Sequence, residues 1–237
     1  DHYDEINPTW RKLGIQEMPI LTRNANTTTS AAIEFLDENP DRPFFYWLHY
    51  YDPHAPYEAV GDYHLKFYEG DPTEGSVHFM ERALFNRIMQ GTDFNWIRPS
   101  KDLTYFRREY GAEIAYVDTQ IQRILKALKR LALLDNTLVV VTSDHGENIG
   151  EHDIYFDHWT LYDTDVKVPL IFWNPAMVPQ GQKIDRTVSL LDIAPTIMEL
   201  VDEKDSVFVQ NVFSGRSLKP LWENADDGKD KNRIIVS

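Results

Sequence analysis

Residues Thr137 to Ile171 read TLVVVTSDHGENIGEHDIYFDHWTLYDTDVKVPLI. Leu138 to Thr142 is a β-branched run with the pattern of a strand buried on both faces. The chain then breaks into Ser143-Asp144-His145-Gly146-Glu147, whose glycine and carboxylates suit a loop. A carboxylate beside an imidazole at the carboxyl end of a buried strand sits where open α/β sheets carry their ligand chemistry. Asp144 and His145 are therefore candidate metal ligands. A capping box or a solvated turn is the plain alternative, because such loops commonly join strand to helix. Density argues against it: Asp144, His145, Glu147, Glu151, His152, Asp153, Asp157, His158 and Asp163 fall within twenty positions.

Upstream, Phe44 to Leu48 is a five-residue apolar run that predicts a second buried strand. It leads into His49-Tyr50-Tyr51-Asp52-Pro53-His54-Ala55-Pro56-Tyr57, a proline-punctuated loop with two histidines. Two histidine loops at the ends of two buried strands can converge. Before this strand a helix is expected from a cap within Asn26 to Ser30 to the break at Asn39-Pro40. Residues 1–20 read as loop, and 58–103 as a long irregular insertion of the kind that rims a cleft. A long helix is expected from Leu103 to Leu133, with Tyr110, Ile114, Val117, Ile121, Leu125 and Leu128 forming its core stripe. After the histidine loop, Leu170 to Trp173 predicts a third strand ended by Asn174-Pro175. Gly181 marks a turn, and a helix ends near Val201, with Asp192 as its cap and Pro195 in its first turn.

The chain has 237 residues, 42% hydrophobic and 26% charged, enough for one α/β domain with a sizeable core. No apolar run reaches the roughly 20 residues of a membrane helix. A net charge of −14, from 38 acidic against 24 basic residues, excludes the basic footprint that nucleic acid requires. An anionic substrate would have to be drawn by a local cationic pocket. There is no cysteine, so disulfides and thiolate metal sites are excluded. Composition does not set the compartment; a periplasmic or secreted location is one expectation, any targeting signal being either absent or not included in the chain.

The motifs Ser143-Asp144-His145-Gly146-Glu147, Gly150-Glu151-His152, His158 with Leu161-Tyr162-Asp163, and Val168-Pro169-Leu170-Ile171 together resemble the sulfatase family of the alkaline phosphatase superfamily. Asp52-Pro53-His54-Ala55-Pro56-Tyr57 is similar to the family loop whose histidine approaches the transferred sulfuryl group. Gly215-Arg216-Ser217-Leu218 and Pro220-Leu221-Trp222 resemble the segment that closes the main domain.

The resemblance implies an α/β fold with a mostly parallel central sheet flanked by helices, incomplete at both ends. It divides the chain into a partial catalytic domain, 1–222, and the start of a small C-terminal subdomain, 223–237. The implied activity is sulfuric ester hydrolysis with a divalent metal and a formylglycine-type nucleophile. No Cys-or-Ser-x-Pro-x-Arg signature for that nucleophile occurs here, so the isolated chain is expected to be inactive. A phosphodiesterase or phosphonate monoester hydrolase of the same superfamily is the alternative, and a non-catalytic acidic binding domain is the reading from another class.

Carried over residue by residue, the resemblance makes Asp144 and His145 metal ligands, and His54 and His158 catalytic and substrate-binding. His158 stands where many sulfatases have a lysine. His49 is a further substrate-binding candidate. The implied metal is Ca2+, with Mn2+ or Zn2+ as alternatives because His145 brings nitrogen where many sulfatases have asparagine. The expected substrate is a sulfate ester, a sulfated carbohydrate among the candidates. Exposed strand edges make homo-oligomerisation a further expectation.

Overall fold

The computed structural model describes residues 23–57, 59–66, 74, 81, 83, 102–201 and 213–223. The expected loop at 1–20, most of the 58–103 insertion and the strand-like run at 233–236 lie outside them. In chain order the elements are helices α1 (Ala25–Glu38) and α2 (Leu103–Arg130), strands β1 (Val139–Thr142), β2 (Asn148–Ile149) and β3 (Tyr155–Asp157), helix α3 (Asp163–Val166), strand β4 (Leu170–Trp173), and helices α4 (Ile193–Val201) and α5 (Lys219–Trp222). They fall into two compact units. Residues 1–133 and 148–157 form the first; residues 134–147 and 158–237 form the second.

In the first unit, α1 packs on α2. Helix α1 begins earlier than the threonine run suggested. The Asn24 side chain accepts the Thr27 amide at 2.9 Å and caps the helix, while Ser30 Oγ bonds back to the Asn26 carbonyl at 2.8 Å inside it. Its buried residues Ala25, Thr29, Ala32 and Leu36 recur at the spacing of one helical face. The buried face of α2 is not the aliphatic stripe expected from the sequence. It runs through Phe106, Glu109, Ala112, Glu113, Tyr116, Gln120, Ala127 and Leu128; of the expected stripe Leu128 is buried, while Ile114 is exposed. Among the polar side chains on that face, Glu109 Oε2 accepts the Ala59 amide. Helix α2 ends at Arg130 through paired bonds from Leu133 N to Leu128 O and from Ala132 N to Lys129 O, with Ala132 at φ 56°.

The core of this unit gathers Ala55, Tyr57, Phe106, Ile149, Tyr155 and Phe156. Phe106 and Phe156 meet edge to face at 4.8 Å, and Tyr57 packs on Phe156 at 5.8 Å. Each buried aromatic contributes about 1.5–3 kcal/mol through area removed from water. Strands β2 and β3 form a short antiparallel pair whose register shifts at Asn148/Ile149.

Phe44 to Leu48 forms no strand among the described residues. Phe44 and Tyr46 turn to the Phe35 ring of α1, at 6.2 and 4.9 Å, whereas Phe45 and Trp47 are 76% and 75% exposed. An apolar run reads as a doubly buried strand only where neighbours pair with it and cover both faces; here one face is covered.

In the second unit β1 and β4 pair, as expected of neighbours, but antiparallel, with Val139 opposite Trp173 and Thr142 opposite Leu170. Both ladders among the described residues are antiparallel, so the mostly parallel sheet is not what they form. Nor is β1 or β4 buried on both faces; β1 is half-buried throughout and Ile171 of β4 is exposed.

Asn174 ends β4 by donating to the carbonyls of Asp135 and Thr137, both at 3.1 Å, and accepting the amides of Ala176 and Met177. Ser189, rather than Asp192, is the cap of the turn that leads into α4. Asp192 is the reciprocal partner in a capping box, accepting the Ser189 amide at 2.9 Å. Its other oxygen accepts the Arg216 amide at 2.9 Å, and Thr196 Oγ1 accepts that of Leu218 at 2.8 Å. These bonds seat residues 215–218 against α4. Gly215 permits the approach, since a Cβ there would collide with the Leu191 carbonyl.

Candidate functional site

The candidate residues divide between the units: His49 and His54 in the first, Asp144, His145 and His158 in the second.

In the first unit His49 is exposed. His54 is fixed twice, its amide donating to Tyr51 O at 2.9 Å and its Nδ1 to Ala55 O at 2.7 Å. A carbonyl only accepts, so Nδ1 carries the hydrogen and Nε2 the lone pair of the neutral ring. The ring also lies 4.6 Å from Tyr51. Asp52, two residues before it, has its carboxyl pKa raised because burial disfavours the charge; the amide of Ala25 at the start of α1 opposes this. Its Oδ2 is buried without a hydrogen-bond partner. The Tyr50 hydroxyl, bonded to Thr29 Oγ1 at 2.8 Å, is likewise pushed up by burial.

In the second unit β1 delivers the chain to Ser143 to Glu147. Ser143 Oγ donates to His145 O at 2.7 Å, and the His145 amide to Asp144 Oδ1 at 3.1 Å, closing a tight turn. Gly146 N donates to Asp165 O at 2.6 Å and Glu147 N to Thr164 O at 3.0 Å, so the loop lies on the backbone of α3. Only glycine allows this, because a Cβ on residue 146 would run into the Thr164 carbonyl oxygen.

His145 Nδ1 donates to Gly146 O at 2.7 Å, which leaves the lone pair on Nε2, 3.9 Å from Asp144 Oδ1. The Asp144 side chain is 70% exposed. An exposed carboxylate next to an imidazole whose distal nitrogen holds the lone pair fits a divalent cation as a pair of donors. No group of three or more such side chains stands in metal-holding geometry among the described residues. Two side-chain donors are fewer than the roughly four ligands of zinc or the roughly 6 to 8 of calcium.

His158 is brought onto this loop. Its ring stacks on His145, centroids 3.9 Å apart and planes 18° apart, and Trp159 lies 5.5 Å along it. Asp165, buried in α3, accepts both the amide and the hydroxyl of Thr160 and so anchors the segment that follows His158.

One residue the sequence reading assigned no role stands out. Glu147 presents a carboxylate whose side chain is 5% exposed, with Oε1 3.8 Å from His158 Nδ1 and no hydrogen-bond partner. Its signal was visible only as one acid among many; burial singles it out. His152 lies at φ 55° in a short turn from Glu151 to Asp153.

The sulfatase family profile matches residues 6–203. An arylsulfatase of Clostridium perfringens is 27% identical over 234 residues, covering 90% of this chain and 47% of that protein. An N-acetylglucosamine-6-O-sulfatase of Bacteroides thetaiotaomicron is 35% identical over 119 residues, covering 50% of this chain and 20% of that protein. A solved phosphonate monoester hydrolase of Agrobacterium radiobacter shares the fold, with a TM-score of 0.59 at 24% identity over 84% of this chain and 42% of that one. The chain spans less than half the length of the curated relatives it matches. With well over half of its residues matched by the profile, the chain belongs to the sulfatase family.

Proposed function

We propose that this chain serves the hydrolysis of a sulfate ester, with residues 1–222 in one catalytic α/β domain and a small C-terminal subdomain beginning at 223. The observation that carries the reading is His145: Nδ1 tied to Gly146 O, Nε2 beside Asp144, and the ring stacked on His158.

Asp144 and His145 would hold a divalent cation, Ca2+ in the first instance, with Mn2+ or Zn2+ as alternatives suited to the imidazole donor. When bound, the cation supplies charge stabilisation to the sulfate oxygens and sharpens the nucleophile. His158 and His54 contact the sulfuryl oxygens or pass a proton to the leaving alkoxide; for His54 that proton is one taken up on Nε2, since Nδ1 is held by Ala55 O. His49 takes part in binding substrate. The nucleophile is of the formylglycine type and is assigned to none of these residues. A sulfated carbohydrate is the preferred substrate class, supported by the likeness to an N-acetylglucosamine-6-O-sulfatase.

Side-by-side turnover of an aryl sulfate, a sulfated monosaccharide and an aryl phosphodiester by the whole protein tests this. Faster cleavage of the phosphodiester would reassign the activity to the phosphoesterase branch of the superfamily.

A further inference from the structure

We infer that Glu147 is the positioning residue of His158: its buried carboxylate holds Nδ1–H of the imidazole toward the protein and so presents Nε2 to the substrate anion. The inference rests on the proposed role of His158 at the sulfuryl group.

A carboxylate with a 5% exposed side chain and an unpartnered Oε1 loses solvation and regains it only from a nearby donor. Among the charged or titratable groups, His158 Nδ1 stands 3.8 Å from that oxygen, and it too is buried. A small rotation of either side chain closes the gap to a hydrogen bond. The backbone from which the Glu147 side chain leaves is fixed against α3. Its amide is bonded to Thr164 O, and the preceding glycine lies too close to α3 to take a side chain. The other member of the pair is held equally firmly, between the stacked His145 ring and the Thr160–Asp165 anchor.

The His158 side chain retains 20% exposure although Nδ1 is covered, so the open part of the ring lies elsewhere than Nδ1. With one proton held on Nδ1, Nε2 is the atom that takes up a second proton and, in the resulting imidazolium, donates to a sulfuryl oxygen or passes that proton to the leaving oxygen, the logic by which carboxylates orient histidines in hydrolytic and metal sites.

The test uses the whole protein with 15N-labelled histidine, comparing wild type with Glu147→Gln and Glu147→Ala. Side-chain 1H–15N correlation at one fixed pH reads the tautomer of His158, identified by its loss in His158→Gln. The expected result is an Nδ1–H ring in wild type and the solution-preferred Nε2–H form in Glu147→Ala. On an aryl sulfate, kcat of Glu147→Ala falls about 10- to 100-fold while KM changes less than about threefold. Glu147→Gln, which keeps side-chain volume and an accepting oxygen, recovers part of the loss. An Nε2–H ring in wild type overturns the inference, as does a His158 tautomer unchanged in Glu147→Ala. The tautomer is read without turnover, so an absence of sulfate ester hydrolysis sinks the functional reading and leaves this test standing.

Discussion

The imidazoles of His145 and His158 lie face to face, with centroids 3.9 Å apart and planes 18° apart. One ring follows β1 and the other follows β3, so the stack ties a proposed metal ligand to a proposed substrate contact. A shift of either loop would disturb both.

Asp144 is the place to separate metal binding from folding. Its carboxylate is 70% exposed, and its one bond to protein in this turn is the His145 amide. Asp144→Ala should change unfolding free energy by only about 0.5–1 kcal/mol. Metal content and sulfate ester turnover should fall together. Elemental analysis of the purified variant beside its thermal melt checks this; wild-type metal content would remove Asp144 from the ligand set.

Gly146→Ala should behave in the opposite way. The added methyl meets the Thr164 carbonyl, and backbone cannot move aside as a flexible side chain can. A cost of about 1–3 kcal/mol is expected, with turnover falling because the loop that carries His145 must lift from α3. Denaturant unfolding with paired activity measurements reads both. A variant as stable and active as wild type would mean that the loop is not held as described.

How much of this was legible in the sequence follows from where the signals were local. The β1 run, the loop after it and the length of α2 were readable because strand and helix periodicities and the Asp-His-Gly spacing are short-range patterns. The orientation of the β1–β4 pair was not, because an apolar run carries no direction. Phe44 to Leu48 misled for a related reason: five apolar residues promise burial, but Phe45 and Trp47 find no cover among the described residues. On α2, aliphatic residues marked a face that the structure leaves half-open, while Glu109 and Gln120 went inside. Glu147 could not be told from its acidic neighbours until its burial was known.

Asp52 predicts a pH dependence. Burial raises its pKa in the folded state above that of the unfolded chain, so the native state holds the proton more tightly. Stability from this group is fully present below the unfolded value of about 3.9 and is lost as pH rises through the higher folded value. Asp52→Asn should therefore be more stable than wild type at neutral pH, and the two should converge in acid. Urea midpoints across that range test it; a constant difference at every pH would show that Asp52 ionisation is not coupled to folding.

Whether His158 acts in sulfate ester cleavage decides the reading of the site. The decisive measurement is sulfate release from an aryl sulfate by the whole protein and its His158→Ala variant, each verified as folded and metal-loaded. The expected result is turnover in the wild type and a kcat lowered by about 10²–10⁴-fold in the variant, the usual contribution of a positioned proton-transfer group. Equal kcat in the two proteins would contradict it.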